Sequence, residues 1–161
     1  MQAITHFAFG VLIQKYIELL GGNYYLNLIL IASLAFGSHI FLDSLSIITY
    51  HPAVPKKTVF WKVYHIFILV ISILFVVFYI EYWIGMLFAS LPDIVDWLIL
   101  RNYYWFVKKD KRYDISVIHS KIIDKVSQKC FFWLPNLREK EWSVVNEFII
   151  LIVLVFFIWI V

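Results

Sequence analysis

Two pairs of ionisable residues stand inside apolar stretches of the sequence, at spacings that bring their side chains together. His39 and Asp43 are four residues apart and would share one face of a helix. Asp93 and Asp96 are three residues apart, so both carboxylates can point the same way. Two carboxylates in a medium of low dielectric constant repel each other unless one is protonated or a cation lies between them. The pattern therefore predicts a cation-binding site.

Three further histidines extend this set. A lone histidine near a helix end is more often a hydrogen-bonded structural residue than a ligand, so a metal site is expected only where several such residues come together. The candidate ligands are His6, His39, Asp43, His65, Asp93, Asp96 and His119. Imidazole and carboxylate donors suit zinc, with manganese or iron as alternatives. These candidates exceed the three protein ligands of a typical mononuclear catalytic zinc site, so we predict one or two divalent ions.

The composition indicates a membrane protein. Of 161 residues, 63% are apolar, 20% are aromatic and only 16% are charged. A soluble domain is typically about half apolar and about a quarter charged. So short a chain cannot bury that much apolar surface in water. We therefore predict an all-α, polytopic membrane helical bundle that forms one domain over residues 1–161.

Five apolar stretches are long enough to cross a bilayer as helices, which takes about 20 residues. They are predicted at residues 4–20, 26–50, 59–83, 84–106 and 143–161. Pro92 lies inside the fourth stretch and is expected to kink or break that helix.

Basic residues orient these spans. Nearly all of them lie in two connections, the one between the second and third spans and the one between the fourth and fifth spans. These residues are Lys56, Lys57, Lys62, Lys108, Lys109, Lys111, Arg112, Lys121, Lys125 and Lys129. Because loops rich in Lys and Arg remain in the cytoplasm, we expect a multi-pass protein of the inner cell membrane. Its N-terminus would be cytoplasmic and its C-terminus outside.

This topology places the polar residues of four spans at one depth. A charged group inside a span costs roughly 2.5 kcal/mol or more and rarely persists without a partner or a task. Hydropathy and loop charge together place His6, His39, Asp43, His65, Asp93 and Asp96 near the cytoplasmic face. The sequence therefore predicts one shared site in that layer.

The long connection, residues 107–142, contains a further helical pattern. Apolar residues recur at helical spacing between Ile115 and Cys130, and lysines occupy much of the opposite side. This pattern predicts an amphipathic helix in the cytoplasmic interface, with His119 on the face toward the membrane. A solvated helix packed against another subunit is the alternative, and the oligomeric state stays open.

Four short segments between residues 5 and 120 resemble a known set of motifs. They are Thr5-His6, Ser-His-Ile-Phe-Leu-Asp-Ser at residues 38–44, Leu-Pro-Asp-Ile-Val-Asp at residues 91–96, and His119-Ser120. The set is similar to that of the membrane-bound metal-dependent hydrolases of the YdjM type, which are considered distant relatives of zinc-dependent phospholipase C and P1 nuclease. The resemblance implies a helical metal-binding fold with His6, His39, Asp43, Asp93 and His119 as ligands.

Together these observations favour a metal-dependent hydrolase, acting on a lipid or another phosphoester at the membrane surface. Two metals about 3.5–4 Å apart suit such chemistry. His65 and Asp96 are the predicted catalytic residues. Lys56, Lys57 and Lys62 are candidates for binding an anionic substrate, or they are topology signals only.

Two other functions remain open at this point. Aspartate and histidine inside a membrane also build proton- or ion-coupled transporters, and a proline-broken helix suits their substrate sites. In a non-enzymatic membrane protein the same groups would only hold helices together. No phosphate-binding glycine loop or nucleophile elbow occurs, and basic loops beside a membrane are poor evidence for nucleic acid, so neither a nucleotide nor a nucleic acid is expected as a partner.

Overall fold

The computed structural model describes residues 1–52, 56–109 and 116–161, and this part of the chain is helical and contains no strand. Its α-helices are α1 (Ala3–Leu20), α2 (Tyr24–Leu45), α3 (Val59–Phe78), α4 (Trp83–Asp93), α5 (Arg101–Phe106), α6 (Asp124–Cys130) and α7 (Val144–Ile160). Shorter 3₁₀ or π segments cover Ser46–Ile48, Ile80–Tyr82, Ile94–Leu100, His119–Ile123 and Glu141–Ser143.

Five helices in the described ranges are long and apolar enough to cross a membrane. They are Ala3–Leu20, Tyr24–Ile48, Val59–Phe78, Ile80–Phe106 and Glu141–Ile160. The predicted all-α bundle of five such helices is therefore confirmed. The third helix ends at Phe78, earlier than predicted, because a 3₁₀ turn at Ile80–Tyr82 separates it from the fourth.

Local sequence explains where two of these helices begin. The Asn23 side chain accepts hydrogen bonds from the N–H groups of Tyr25 and Leu26, at 2.9 and 3.3 Å, and so caps α2. Gly21 and Gly22 precede it with φ angles of 70° and 114°, which only glycine adopts without cost. The Thr58 hydroxyl caps α3 in the same way.

The helix ends that carry the polar residues meet at one end of the bundle. His6, near the start of α1, contacts Asp43, near the end of α2. At the opposite end, the Lys15 ammonium donates to the Ile158 carbonyl near the end of α7, at 2.7 Å. α1 and α7 therefore run in the same direction, and α2 runs against them. The two long connections lie together at the polar end, where the Leu137 N–H donates to the Ile47 carbonyl at 2.7 Å.

The central helix α1 contacts α2, α3, α4 and α7. Its closest approach is to α4, where Gly10 and Gly85 meet backbone to backbone. The Gln14 side chain adds a hydrogen bond, its Oε1 accepting the Gly85 N–H at 2.8 Å. Small residues at such a crossing let two membrane helices pack closely. This contact fixes the height of α4 relative to α1, and so the height of Asp93 relative to His6.

Pro92 changes the hydrogen-bond pattern of the fourth span and does not break it. Proline cannot donate a backbone hydrogen bond, and α4 gives way at Ile94–Leu100 to the wider turn of a π-helix. Such π segments recur at functional sites. Here the π segment holds Asp96, which is fully buried.

The predicted amphipathic helix of the interface is not confirmed. Its first residue, Ile115, lies outside the described residues, and only His119 to Cys130 are helical, in two short segments. Ile123 and Ser127 are buried. They pack against α2, where the Ser127 hydroxyl donates to the Ser44 carbonyl at 3.2 Å. The segment therefore covers the end of α2 and brings His119 to Asp43.

The glycine contact gives a first prediction. A methyl group added by Gly10→Ala would overlap the backbone of Gly85, and such overpacking typically costs about 1–3 kcal/mol. We expect a clearly lower thermal unfolding temperature in detergent. Gly37→Ala is the matched control, because nothing lies within 4 Å of the added group. Equal unfolding temperatures for the two variants would contradict the packing described.

Candidate metal centre

Four side chains from three parts of the chain converge on one point. His39 and Asp43 come from α2, Asp93 from the end of α4, and His119 from the segment before α6. One ligand atom of each lies within 4.8 Å of the others. Two imidazole nitrogens and two carboxylate oxygens so arranged could hold a metal ion. The four residues are part of the set of seven candidate ligands predicted from the sequence.

The Asp43 carboxylate is at the middle of the group. Its Oδ2 lies 3.0 Å from His119 Nε2 and 3.2 Å from His39 Nε2. Its Oδ1 lies 3.0 Å from His6 Nε2 and also pairs with the amino group of Met1. Asp43 is almost completely buried, so these groups must together replace the water that a carboxylate requires.

The hydrogen bond of His39 to a backbone carbonyl determines which ring nitrogen faces the two carboxylates. Its Nδ1 lies 2.6 Å from the carbonyl oxygen of Ala89. A carbonyl can only accept a hydrogen bond, so Nδ1 carries the ring proton. In the neutral ring Nε2 is then a lone pair, and it is buried without a hydrogen-bond partner. It faces Asp43 at 3.2 Å and Asp93 at 3.9 Å, an arrangement of electron pairs that a cation between them would stabilise.

Asp96 holds His119 in place from behind. Its Oδ1 accepts the N–H groups of Val117 and Ile118, at 3.0 and 3.2 Å. Its Oδ2 accepts both the backbone N–H of His119, at 2.8 Å, and the ring Nδ1–H, at 2.7 Å. Nε2 of His119 is left for Asp43, Asp93 or a metal. A carboxylate that orients a histidine in this manner is the usual outer partner of a metal-binding imidazole.

The charge on His119 follows from these partners. Burial alone would lower its pKa, but hydrogen bonds to Asp43, Asp93 and Asp96 raise the pKa to about 10. Without a metal, His119 is therefore an imidazolium at neutral pH, and its Nε2 proton lies between two carboxylates. A metal bound there would replace that proton.

The other three predicted metal ligands, His6, His65 and Asp96, lie outside the group of four. His6 is buried beside the group and stacks on His39 with ring centroids 4.0 Å apart. His65 is not among the four grouped residues. Its ring stacks on Trp61, and its Nδ1 donates a hydrogen bond to the Trp61 carbonyl at 2.7 Å. Asp96 is placed behind His119, as an orienting partner.

The predicted basic substrate-binding residues lie at the start of α3. Lys56 is paired with Glu139, with 2.8 Å between Nζ and Oε2. Lys57 and Lys62 are exposed. The pairing of Lys56 links the two long connections at the polar end of the bundle.

Two features of this region were not predicted from the sequence. Glu147, in the first turn of α7, is only 1% exposed and accepts hydrogen bonds from the Gln2 N–H, at 3.0 Å, and the Thr5 hydroxyl. Its signal was a lone carboxylate in an otherwise apolar span. The ring of Trp97 lies 5.0 Å from that of His119, and the Arg101 guanidinium lies 4.4 Å from the centre of the Trp97 ring. Trp97 therefore shields one flank of His119 from solvent.

Comparisons with family models, with curated proteins and with solved structures find no match for this chain. What the site can do is therefore inferred from its own geometry.

The geometry predicts which substitutions remove a metal. We expect full-length protein purified in detergent to retain at least one divalent transition metal per chain, measured by elemental analysis. His39→Ala removes a buried ligand atom and should abolish this content. Asp96→Asn removes only the orienting partner, and should weaken metal affinity by roughly 10–100-fold.

His65→Ala is the matched control, because it deletes an imidazole outside the four grouped residues. It should leave the metal content unchanged. Metal-free wild-type protein, or equal metal in the His39→Ala and His65→Ala variants, would contradict the assignment.

Proposed function

We propose that this chain is a membrane-embedded, metal-dependent hydrolase of phosphoesters. His39, Asp43, Asp93 and His119 would hold the ion, with zinc as the first choice and manganese or iron as alternatives for the same donors. The observation that carries the proposal is the convergence of one ligand atom from each of these four residues, all within 4.8 Å of one another, with His39 Nε2 facing both carboxylates.

The exposure of the ligands supports a reactive role over a closed structural one. Structural zinc sites are surrounded by protein, whereas catalytic sites keep a position open. The side chain of Asp93 is 33% exposed and that of His119 is 16% exposed, while those of His6 and His39 are fully buried. A substrate can therefore approach from the side of Asp93.

Each residue would then have a distinct task. When bound, the ion would act as a Lewis acid on a phosphoester oxygen and activate water for attack. Asp43 and His39 form the buried wall that fixes the ligand set. Asp96 keeps Nε2 of His119 directed into the site, and is a positioning residue. Asp93, at the open edge, is the carboxylate best placed to accept a proton from an attacking water.

The resemblance to the YdjM-type hydrolases agrees with this assignment. Of the ligands that it implies, His39, Asp43, Asp93 and His119 form the group, and His6 contacts Asp43. In this chain the histidine and aspartate of residues 38–44 precede the Pro-Asp motif. The proposal of hydrolytic activity rests on the four ligand residues and on the exposure of Asp93 at the edge of the site.

We propose further that the metal centre lies at the cytoplasmic face. The two connections rich in lysine lie at the same end of the bundle as the four ligands, and such loops remain inside. The five spans would then place the N-terminus inside and the C-terminus outside.

The single cysteine tests this orientation. Cys130 is free and exposed at the end of α6. In intact cells that express the protein, a membrane-impermeant maleimide should leave Cys130 unlabelled, and permeabilisation should expose it. Cys130→Ser supplies the blank. Full labelling before permeabilisation would place the metal centre on the outer face.

Hydrolysis itself is tested with simple probes. Purified protein supplied with zinc or manganese should cleave p-nitrophenyl phosphate or bis(p-nitrophenyl) phosphate, and a chelator should stop the reaction. Asp93→Asn should lower kcat/KM by at least 100-fold, since it removes a ligand at the open edge. Asp124→Asn, an exposed carboxylate on α6, should leave the rate unchanged.

Inactivity of a metal-loaded, folded wild-type protein on both esters and on phospholipid vesicles would contradict the hydrolase. Loss of folding in the Asp93→Asn variant would instead favour a metal that only ties the helices together.

A further inference from the structure

A groove between α1 and α3 runs from the level of the metal centre toward the middle of the bundle. It has a volume of about 500 Å³. Its lining residues on α3 recur every three to four positions, so they share one face of that helix. Gln2 and Phe7 line the groove from the α1 side, and His65, Ser72, Val76 and Val77 line it from α3.

The dimensions of the groove match a lipid chain. His65 and Val77 are twelve residues apart, which is about 18 Å along a helix. The hydrocarbon of one leaflet is about half of the roughly 30 Å core of a bilayer. The groove is therefore about as long as one leaflet is deep.

The groove opens sideways to the membrane. Along its edge Leu69, Ile73 and Val77 are 59%, 56% and 65% exposed, whereas Ile68 and Ser72 on its floor are buried. In a bilayer these exposed side chains face hydrocarbon. An acyl chain can enter laterally, without crossing any polar surface.

The polar end of the groove lies beside the metal centre. Gln2 and His65 line that end, and the side-chain nitrogen of Gln2 is buried without a hydrogen-bond partner. Gln2 directly follows Met1, whose amino group pairs with Asp43. A lipid with its chain in the groove would place its head group beside Met1, the residue whose amino group contacts the ligand Asp43.

The charge near this end of the groove suits an acidic head group. Lys62 is exposed and lies three residues before His65 on α3, so the two share a helix face. Lys57 is exposed in the connection just before α3. The polar end thus presents cations at the height where the phosphate of a phospholipid would lie.

We propose that the groove binds one acyl chain of an anionic phospholipid and presents the lipid's phosphate to the metal centre. Cleavage of that lipid rests on the proposed hydrolase function, whereas binding of its chain does not. The proposal therefore names a membrane lipid as the substrate class, and assigns Lys62 and His65 to the recognition of its head group.

Photolabelling tests the binding step. Delipidated full-length protein in detergent is titrated with phosphatidylglycerol that carries a diazirine on one acyl chain. We expect saturable labelling of one lipid per chain, on peptides that contain Phe7, Ser72 or Val76. Ile73→Trp fills the groove and should reduce labelling at least tenfold.

Leu74→Trp is the matched control, because Leu74 is the next residue, is 50% exposed and does not line the groove. It should change labelling less than twofold. The unfolding temperature of both variants is measured first, so that loss of the fold is not mistaken for loss of binding. Equal labelling of the two tryptophan variants, or unsaturable labelling over all exposed helix faces, would overturn the proposal.

Two further arms identify the occupant. Lys62→Gln should weaken phosphatidylglycerol binding several-fold without affecting diacylglycerol, which lacks the phosphate, while Lys129→Gln on α6 should alter neither. If a second copy of the chain fills the groove, Ile73→Cys in a Cys130→Ser background will form intermolecular disulfides and lipid labelling will be absent, which overturns the proposal.

The His39→Ala variant distinguishes the proposal of lipid binding from the proposal of hydrolysis. Saturable labelling of this metal-depleted variant supports the groove, whatever the activity of the native protein. If the native protein hydrolyses phosphatidylglycerol, Ile73→Trp should raise its KM without changing kcat/KM for p-nitrophenyl phosphate. An unchanged KM for the lipid would overturn the groove as the substrate site.

Discussion

The Asp43 carboxylate is the constraint on which the arrangement of this bundle depends. It lies almost buried in a span that is otherwise apolar, where an unpaired charge costs several kcal/mol. Three imidazoles and an amino group surround it. Because these groups come from α1, α2 and the segment before α6, the charge of one residue specifies how three parts of the chain must meet.

The rest of the fold keeps these groups at one height. The Gly10–Gly85 contact sets α4 against α1, and the Ala89 carbonyl on α4 then fixes the tautomer of His39 on α2. Beyond Pro92 the π segment turns Asp96 toward the backbone of Val117 to His119. A close helix crossing and a local change of helix type thus determine the direction of two ring nitrogens. The chemistry proposed for the site follows from those two directions.

Much of this arrangement could be predicted from the sequence, because membrane spans impose long apolar runs and make each buried charge conspicuous. The i,i+4 spacing of His39 and Asp43, with the alternating direction of the spans, was sufficient to predict that they would meet Asp93. The role of Asp96 could not be predicted, since it depends on backbone N–H groups of a segment 21 to 23 residues further along the chain. The position of His65 required the rotation of α3 about its own axis, which an almost uniformly apolar helix does not reveal. Glu147 was overlooked because its partners, Gln2 and Thr5, carry no charge.

We propose that two histidines and two aspartates bind one divalent metal. X-ray absorption spectroscopy at the edge of the metal that copurifies with the protein tests it most directly. We predict a shell of nitrogen and oxygen donors at about 2.0–2.2 Å if the ion is zinc, with the outer-shell scattering of two imidazoles that His39→Ala reduces to one or abolishes. A shell of water and carboxylate oxygen only, or of thiolate sulfur from Cys130, would contradict the account.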